Sequence, residues 1–415
     1  MHFDVAVFGG GISGVSAAVN AFRMGKKVIL IEQSFTVGGS ATSGLVNPFM
    51  RYWLDDKILA GDFFQEILDD LKKYNGRFEN TFDSEILKII LFEKLEGVTL
   101  LFRAMPIEVI KNGNYIEKVV VQTSVGNKYE INANLFIDAT GDSSLSYLSG
   151  CKTFSGDENG NNQAATLMFT ISNVDFKKVR ESIRNDPDNF YKWVSPDSKV
   201  LSVAGYFKEV KRAKKEGFSY PNDYFFFIQL PGNGRVTVNT THIGINATDE
   251  FEISEAMKIA HKQVYQVFDF AKKYVSGFKD SYIEKIACLL GIRESRRAEG
   301  MYVFKGKDVV DKSKFDDGVI KACYGVDVHK KEQVIDENEK NSVPKYEDYY
   351  EIPIRSLISR EIKNLAVIGR GFSSDFFGQS AARIIPTCVD MGEVVGKLAG
   401  KVKKDFHELF EDSRN

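Results

Sequence analysis

At 415 residues the chain is too long for a single small recognition module, and at roughly 100–200 residues per domain it has room for two structural units, or for one unit with a second inserted in it. Hydrophobic residues at 43% and charged residues at 27% match soluble globular composition and exclude disordered and fibrous classes. Fifty-five Lys and Arg against 57 Asp and Glu, a formal charge of -2, lack the basic excess needed to bind a phosphate backbone, which argues against a nucleic-acid partner.

The cysteines Cys151, Cys288, Cys323 and Cys388 lie far apart and form no CxxC pair, against a disulfide framework, a zinc ribbon or a cysteine-ligated cluster. No metal is expected, and a reducing cytoplasm fits this usage. The first apolar stretch, Phe3 to Phe8, carries Asp4 and runs into glycines without a basic leader, which makes a poor signal peptide. No apolar run approaches the roughly 18 residues of a membrane span. The expectation is a soluble, cytoplasmic protein with no membrane partner.

In chain order, Phe3–Phe8 reads as a strand, residues 15–25 as a helix closed by Gly25, and Val28–Ile31 as a second strand ending at Glu32, a βαβ unit of dinucleotide-binding length. Asp62 can cap a helix that places Phe64, Ile67, Leu68 and Leu71 on one face, and Asp83 or Ser84 a second carrying Ile86, Ile90 and Leu95. From Val98 to Ile137 short strands alternate with turn residues such as Asn112-Gly113, a meander. Leu135–Ile137 runs into Asp138-Ala-Thr-Gly141. Beyond about residue 150 the text becomes rich in Phe and Tyr, with a helix over Ser254–Val275 whose Met257, Val264, Val267 and Ala271 face inward. The charged stretch Lys330–Glu351 reads as a solvated excursion. Leu365–Ile368 is a buried strand before Gly369, and 386–400 a closing helix.

Gly9, Gly11 and Gly14 of GGGISG occupy the GxGxxG positions directly after a strand and at the opening of a helix. The first permits the turn, the second lets a pyrophosphate approach the backbone, and the third lets helix and strand pack closely, with the helix N-terminus favouring negative charge. Glu32 lies 18 residues beyond Gly14, where a carboxylate can accept hydrogen bonds from a ribose diol.

GGGISG at 9–14, GGSATSGLVNPF at 38–49, DATGD at 138–142, QAATLMF at 163–169, LGIRESRRAEG at 290–300, YGVDVH at 324–329, YEIPIRSLI at 350–358, NLAVIGRG at 364–371 and RIIPTC at 383–388 occur in one order over most of the chain. In these segments the sequence resembles the glutathione-reductase-like flavoproteins, and within them the FAD-dependent oxidoreductase family whose members are often called xanthan lyases. The resemblance implies an α/β fold: a Rossmann-like FAD-binding domain from 1–150 and 355–402, an inserted α+β substrate domain over 151–354, and a tail at 403–415. It implies that Gly9, Gly11, Gly14 and Glu32 hold the ADP half of FAD, with Gly39, Ser40 and Thr42 near the ribityl and flavin. Ile107 resembles the position whose backbone meets the adenine. Thr140 and Gly141 are then beside the pyrophosphate, and Gly369, Arg370, Pro386 and Thr387 bring a second helix N-terminus to the flavin pyrimidine, where reduced flavin carries negative charge.

Arg293-Glu-Ser-Arg296-Arg297 reads either as a solvated charge run or, given its apolar approach and its place in a family motif, as a source of arginines (Arg293, Arg296) facing the cofactor cavity and able to hold a carboxylate, a carbonyl or the flavin. Asp327 and His329 alternate along Val326–His329, which would set both on one strand face. A carboxylate beside an imidazole suits a general base titrating near neutrality, and the competing reading is a structural histidine at a strand edge. His242 and Arg355 are weaker candidates. Cys388 in the first turn of the last helix reads as a buried thiol rather than a redox partner. The implied activity is two-electron (hydride) transfer between flavin N5 and a polar small molecule, a sugar, polyol or organic acid, with an unidentified electron donor or acceptor. The alternatives are a non-redox flavoprotein catalysing elimination or isomerisation, and an FAD-binding subunit of a larger redox complex.

Overall fold

The computed structural model describes residues 2–330 and 340–410. Strand β1 (His2–Phe8) is apolar enough to be buried along most of its length, and helix α1 (Ile12–Arg23) follows it through the glycine turn. Strand β2 (Val28–Glu32) then pairs parallel to β1, Val5 opposite Val28 and Phe8 opposite Ile31. This is the expected βαβ unit. It forms the centre of a seven-stranded mixed sheet that runs, in spatial order, Thr99–Phe102, β2, β1, Lys128–Asp138, Tyr115–Thr123 and Ala104–Asn112, with Leu365–Val367 also pairing parallel to Lys128–Asp138. The last three strands of the spatial series are the antiparallel meander read from the turn residues.

The closing helix, Ile385–Lys401, lies on α1. Gly392 and Gly396 make that approach possible, since a Cβ on either would come within 2.2 and 2.5 Å of the carbonyl oxygens of Ser13 and Ala17. Residues Ile12 to Ala21 are all buried as a result, between this helix and the sheet. Helices Asp62–Lys73 and Ser84–Lys94 complete that layer. Asp83 caps the second by accepting from Glu85 N and Ile86 N, whereas Asp62 is the first helical residue behind an N-cap glycine and caps nothing.

A second, five-stranded antiparallel sheet has the order Ser202–Gly205, Phe225–Gln229, Val236–Val238, Phe169–Ser172, Tyr282–Ile286. Its buried face holds Phe225 and Phe227 against Phe278, and the long helix Glu250–Tyr274 buries Ala260, Val264, Val267 and Ala271 over it. That helix begins before Ser254 because Asp249 accepts from Phe251 N and Glu252 N. Phe304, Ile320, Tyr350 and Ile352, although they precede residue 355, pack into the hydrophobic cluster of β1, α1 and the closing helix. Among the described residues no helix is long and apolar enough to cross a membrane.

One expectation is corrected. Residues 324–329 belong to no strand; they form an irregular segment pinned by Ser380 Oγ, which accepts from Asp327 N, and by Gln163 Oε1, which accepts from His329 N. The charged stretch is solvated over much of its described length, with residues 330, 341–345, 347 and 348 exposed, and it is tied to the body where Lys340 sits 4.6 Å over the Phe207 ring and Arg51 sits 4.4 Å over the Tyr346 ring. Residues 331–339 lie outside the described residues.

Candidate functional site

The turn after β1 is dictated by two contacts. Gly9 has φ +104° and a Cβ there would fall 2.3 Å from Ala139 O, while a Cβ on Gly14 would fall 1.9 Å from Gly9 O. Gly11 differs. Its backbone is ordinary (φ -62°), and a Cβ there would meet nothing within 4 Å. Neither conformation nor packing within the chain asks for glycine at this position, so its bareness serves something that approaches from outside, at the N-terminus of α1. Glu32 at the end of β2 accepts from Gly10 N (2.6 Å) and Ser34 N (2.7 Å), which fixes the loop, and each oxygen keeps further acceptor capacity.

The other glycine loops converge here. Gly38 N donates to Gly10 O, Gly39 lies against Gly11, and Thr42 Oγ1 donates to Val37 O and closes the Gly38–Ser40 turn. Ile107 sits at the register shift of its strand, between Pro106 opposite Val121 and Glu108 opposite Val120. Thr140 N and Oγ1 both donate to the buried Asp138 carboxylate, which also accepts from Ser146. Burial raises the Asp138 carboxyl above its ordinary value, against these hydrogen bonds. Gly369 ends the strand beside Asp138, and Arg370 spans the cleft: its guanidinium donates to Gly141 O, to Asp142 Oδ1 (2.6 Å) and to Ile292 O (2.6 Å). Pro386 and Thr387 lie in the first turn of the closing helix.

Arg370 links this cleft to a second place. Beyond Ile292, the 92%-buried Arg293 lines a cavity of about 420 Å³ that shares Tyr224, His242, Tyr324, Asp327, His329 and Tyr346 with an adjoining cleft of about 1290 Å³. In its wall His329 Nε2 lies 3.3 Å from Asp327 Oδ1. Tyr324 donates to Asp327 Oδ2 (3.0 Å), and Arg383, just before the closing helix, donates to Asp327 O (3.0 Å) with its charge 3.8 Å from Oδ2. Two buried glutamines tie the parts together, Gln163 donating to Gln379 and Gln379 to Arg293 O.

The electrostatics follow from this crowding. Burial alone would raise the Asp327 carboxyl, but His329, Arg383 and Arg293 hold it well below the usual carboxylate range. Burial, then the Arg293 charge, brings His329 down to about 4 against the opposing pull of Asp327. The imidazole is therefore neutral at neutral pH, and the tautomer with its proton on Nε2, facing the carboxylate, leaves the Nδ1 lone pair to accept a proton. The near-neutral titration expected from the sequence is corrected by two effects the sequence does not display, burial and the neighbouring arginines.

Other candidates go elsewhere. Arg296 stacks 4.4 Å over the Tyr147 ring, lines neither cavity and is not brought to Asp327. Arg355 forms a two-pronged pair with Asp317. Burial pushes the Cys388 thiol up to about 12, so it is no thiolate. Arg383, Tyr324 and Gln163 do not stand out in the sequence. The RIIPTC and YGVDVH segments contain the signal, but only their meeting in space gives it meaning.

A parallel βαβ unit at the centre of a mixed sheet, a glycine turn at a helix N-terminus and an adjoining polar cavity define a dinucleotide-binding enzyme. The model of the FAD dependent oxidoreductase family matches residues 4–406, and the chain belongs to that family. Over shorter stretches it is similar to one of the subunits of the anaerobic glycerol-3-phosphate dehydrogenase of Vibrio cholerae, 67% identical over 33 residues that cover 8% of each protein, and to NADH:acrylate oxidoreductase of Vibrio harveyi, 32% identical over 22% of this chain and 11% of that one. The matched part thus spans only a small fraction of these curated relatives. Among solved structures it is similar to a geranylgeranyl bacteriochlorophyll reductase-like protein of Thermoplasma acidophilum, 14% identical over 99% of this chain and 79% of that one, with a TM-score of 0.46.

FAD is the cofactor of the family, and the bare Gly11 at a helix N-terminus is the cradle it requires. Gly11→Ala is expected to weaken FAD binding by roughly ten- to a hundredfold, since overpacking a contact costs about 1–3 kcal/mol, while costing the apoprotein at most about 1 kcal/mol. Titration of apoprotein with FAD checks this. Gly14→Ala is the contrast, because its Cβ would strike Gly9 O and unfold the turn itself.

Proposed function

We propose that the enzyme transfers two electrons between FAD and a polar small molecule, of sugar, polyol or organic-acid type, seated in the cavity beside Asp327 and His329. Within its family we read it as glutathione-reductase-like and related to the members often called xanthan lyases. On this reading 1–150 and 355–402 form the FAD-binding domain, 151–354 the substrate domain and 403–415 a tail, and the enzyme works in the cytoplasm with an electron donor or acceptor of unidentified kind.

Bound FAD supplies a two-electron acceptor or donor whose reduced form carries negative charge. Gly9, Gly11, Gly14 and Glu32 hold its ADP half, Thr140 and Gly141 pass beside the pyrophosphate, and Ile107 meets the adenine through its backbone. Gly39, Ser40, Thr42, Gly369, Arg370, Pro386 and Thr387 surround the isoalloxazine end, with the first turn of the closing helix favouring negative charge there. His329 takes the proton from the substrate hydroxyl or carbon, or returns it, and Asp327 fixes the imidazole's tautomer and direction. Tyr324 and Arg383 in turn hold Asp327 in place.

The observation that carries this reading is an imidazole 3.3 Å from a carboxylate in the wall of a cavity joined through Ile292 and Arg293 to the glycine loops. An anaerobic screen of sugars, polyols and organic acids tests it. At least one compound is expected to bleach the flavin absorbance, or, in the reverse direction, a carbonyl or alkene acceptor to reoxidise the reduced enzyme. Turnover of a compound with the flavin spectrum unchanged would instead establish non-redox chemistry.

A further inference from the structure

The cavity wall holds Arg293, Asp327 and His329. Arg383, outside that lining, has its charge 3.8 Å from Asp327 Oδ2 and opposes the protonated form of Arg293. No carboxylate among the described residues lies within ion-pair distance of the Arg293 guanidinium. Arg293 is 92% buried as a residue, and its guanidinium donates to Ala164 O (2.5 Å) and Asn239 Oδ1 (3.3 Å), both uncharged, which leaves the rest of its five N–H groups without a partner among the described residues. Arg383 Nε is likewise buried with no acceptor. A buried charge without a counter-charge in ion-pair reach is costly, and Asp327, the carboxylate of this lining, is taken up by His329, Tyr324 and Arg383.

We propose that Arg293 binds the carboxylate of a monoanionic substrate in this cavity. The inference deepens the reading of the cavity as the substrate site and rests on it. A planar guanidinium with several open N–H groups matches a carboxylate in geometry, and a single guanidinium without an ion-pair partner matches a monoanion rather than a phosphate dianion. The rest of the cavity, with Tyr224, Phe226, Tyr324 and Tyr346 in its lining, offers ring faces and polar edges to the remainder of the molecule.

The probes are monocarboxylates of increasing size, acetate, benzoate and indole-3-acetate, each paired with its neutral amide, and phenyl phosphate as the dianion. Binding to the FAD-loaded enzyme is read by calorimetry and by quenching of Trp193, which lines the cavity. At least one carboxylate is expected to bind at least about tenfold tighter than its amide and than phenyl phosphate. Arg293→Met should abolish that preference, and Arg293→Lys should weaken it by about tenfold or more, because an ammonium cannot reproduce the fork. Equal affinity for acid and amide overturns the proposal. So does an absence of binding by every carboxylate, or a preference that survives in Arg293→Met. A changed flavin reduction potential in Arg293→Met with carboxylate affinity intact would assign the arginine to the flavin and equally overturn it. Should Arg293→Met fail to retain FAD, Arg293→Lys alone decides. Since binding is measured without turnover, carboxylate selectivity with no flavin bleaching would refute the redox reading and leave this one standing.

Discussion

Replacing His329 by asparagine is expected to slow flavin reduction at saturating substrate by on the order of 10²–10⁴, the usual loss when a positioned general base is removed, with FAD content and melting temperature nearly unchanged. The sign of the pH dependence follows from the burial of the imidazole. The base acts when unprotonated, so activity rises as pH increases through the His329 value of about 4 and is flat across neutrality. The asparagine variant should lose that acid limb. Asp327→Asn removes the charge that raises the imidazole's pKa, so its limb moves to still lower pH. It should also lose stability, because Arg383 and Tyr324 lose their charged partner. Stopped-flow reduction across pH measures all three proteins. An unaltered rate constant in His329→Asn, per flavin-loaded molecule, would falsify the role and direct attention to His242, which lines the same cavity.

What the sequence made legible was local. GGGISG, Glu32 and the strands on either side are close in the chain, and each residue's reason can be stated from its neighbours, which is why the βαβ unit and the closing helix stand where they were expected. The Asp327–His329 pairing was legible for a similar reason, an i,i+2 spacing in an extended segment, although no sheet holds it. The rest depends on distant chain. Arg383 acquires its place from Asp327, 56 residues earlier, and nothing in RIIPTC tells that such a partner is coming. The run from Arg293 to Arg297 reads either as a solvated charge run or as a source of cavity-facing arginines, and the structure divides it: Arg293, Glu294 and Arg297 are buried while Arg296 lies on a tyrosine ring. Lys340 and Tyr346 sit in a charged stretch whose attachment to the body comes from distant partners, the Phe207 ring for Lys340 and the Arg51 guanidinium for Tyr346.

That same motif gives the largest expected effect on stability. Glu294 and Arg297 are 0% and 3% exposed and form an ion pair. Burial pushes the Glu294 carboxyl up and the Arg297 guanidinium down, as for charges held out of water. Their remaining capacity is filled by the loop that precedes the second sheet and by Ser374: Glu294 accepts from Gly156 N (2.9 Å) and Asn162 Nδ2 (2.6 Å), and Arg297 donates to Gly156 O (3.0 Å) and Ser374 O (3.1 Å). Glu294→Ala would strand a buried guanidinium and two donors, and breaking a buried pair by removing one partner costs about 3–5 kcal/mol. Against the roughly 5–15 kcal/mol of net stability in most proteins, that is a large share. Glu294→Gln keeps one acceptor oxygen for Gly156 N and Arg297 but loses the charge and turns an amide donor toward Asn162 Nδ2, so it should be destabilised less than the alanine variant and remain soluble where that variant does not. Replacing Glu294 and Arg297 together by Met removes the stranded charge and should recover part of the loss, though not all, since Gly156 N and O are then unpaired at about 1–3 kcal/mol each. Urea unfolding of the FAD-saturated proteins ranks the set. A midpoint for Glu294→Ala equal to that of the parent would mean that water reaches the pair and that the motif is the surface charge run its sequence resembles.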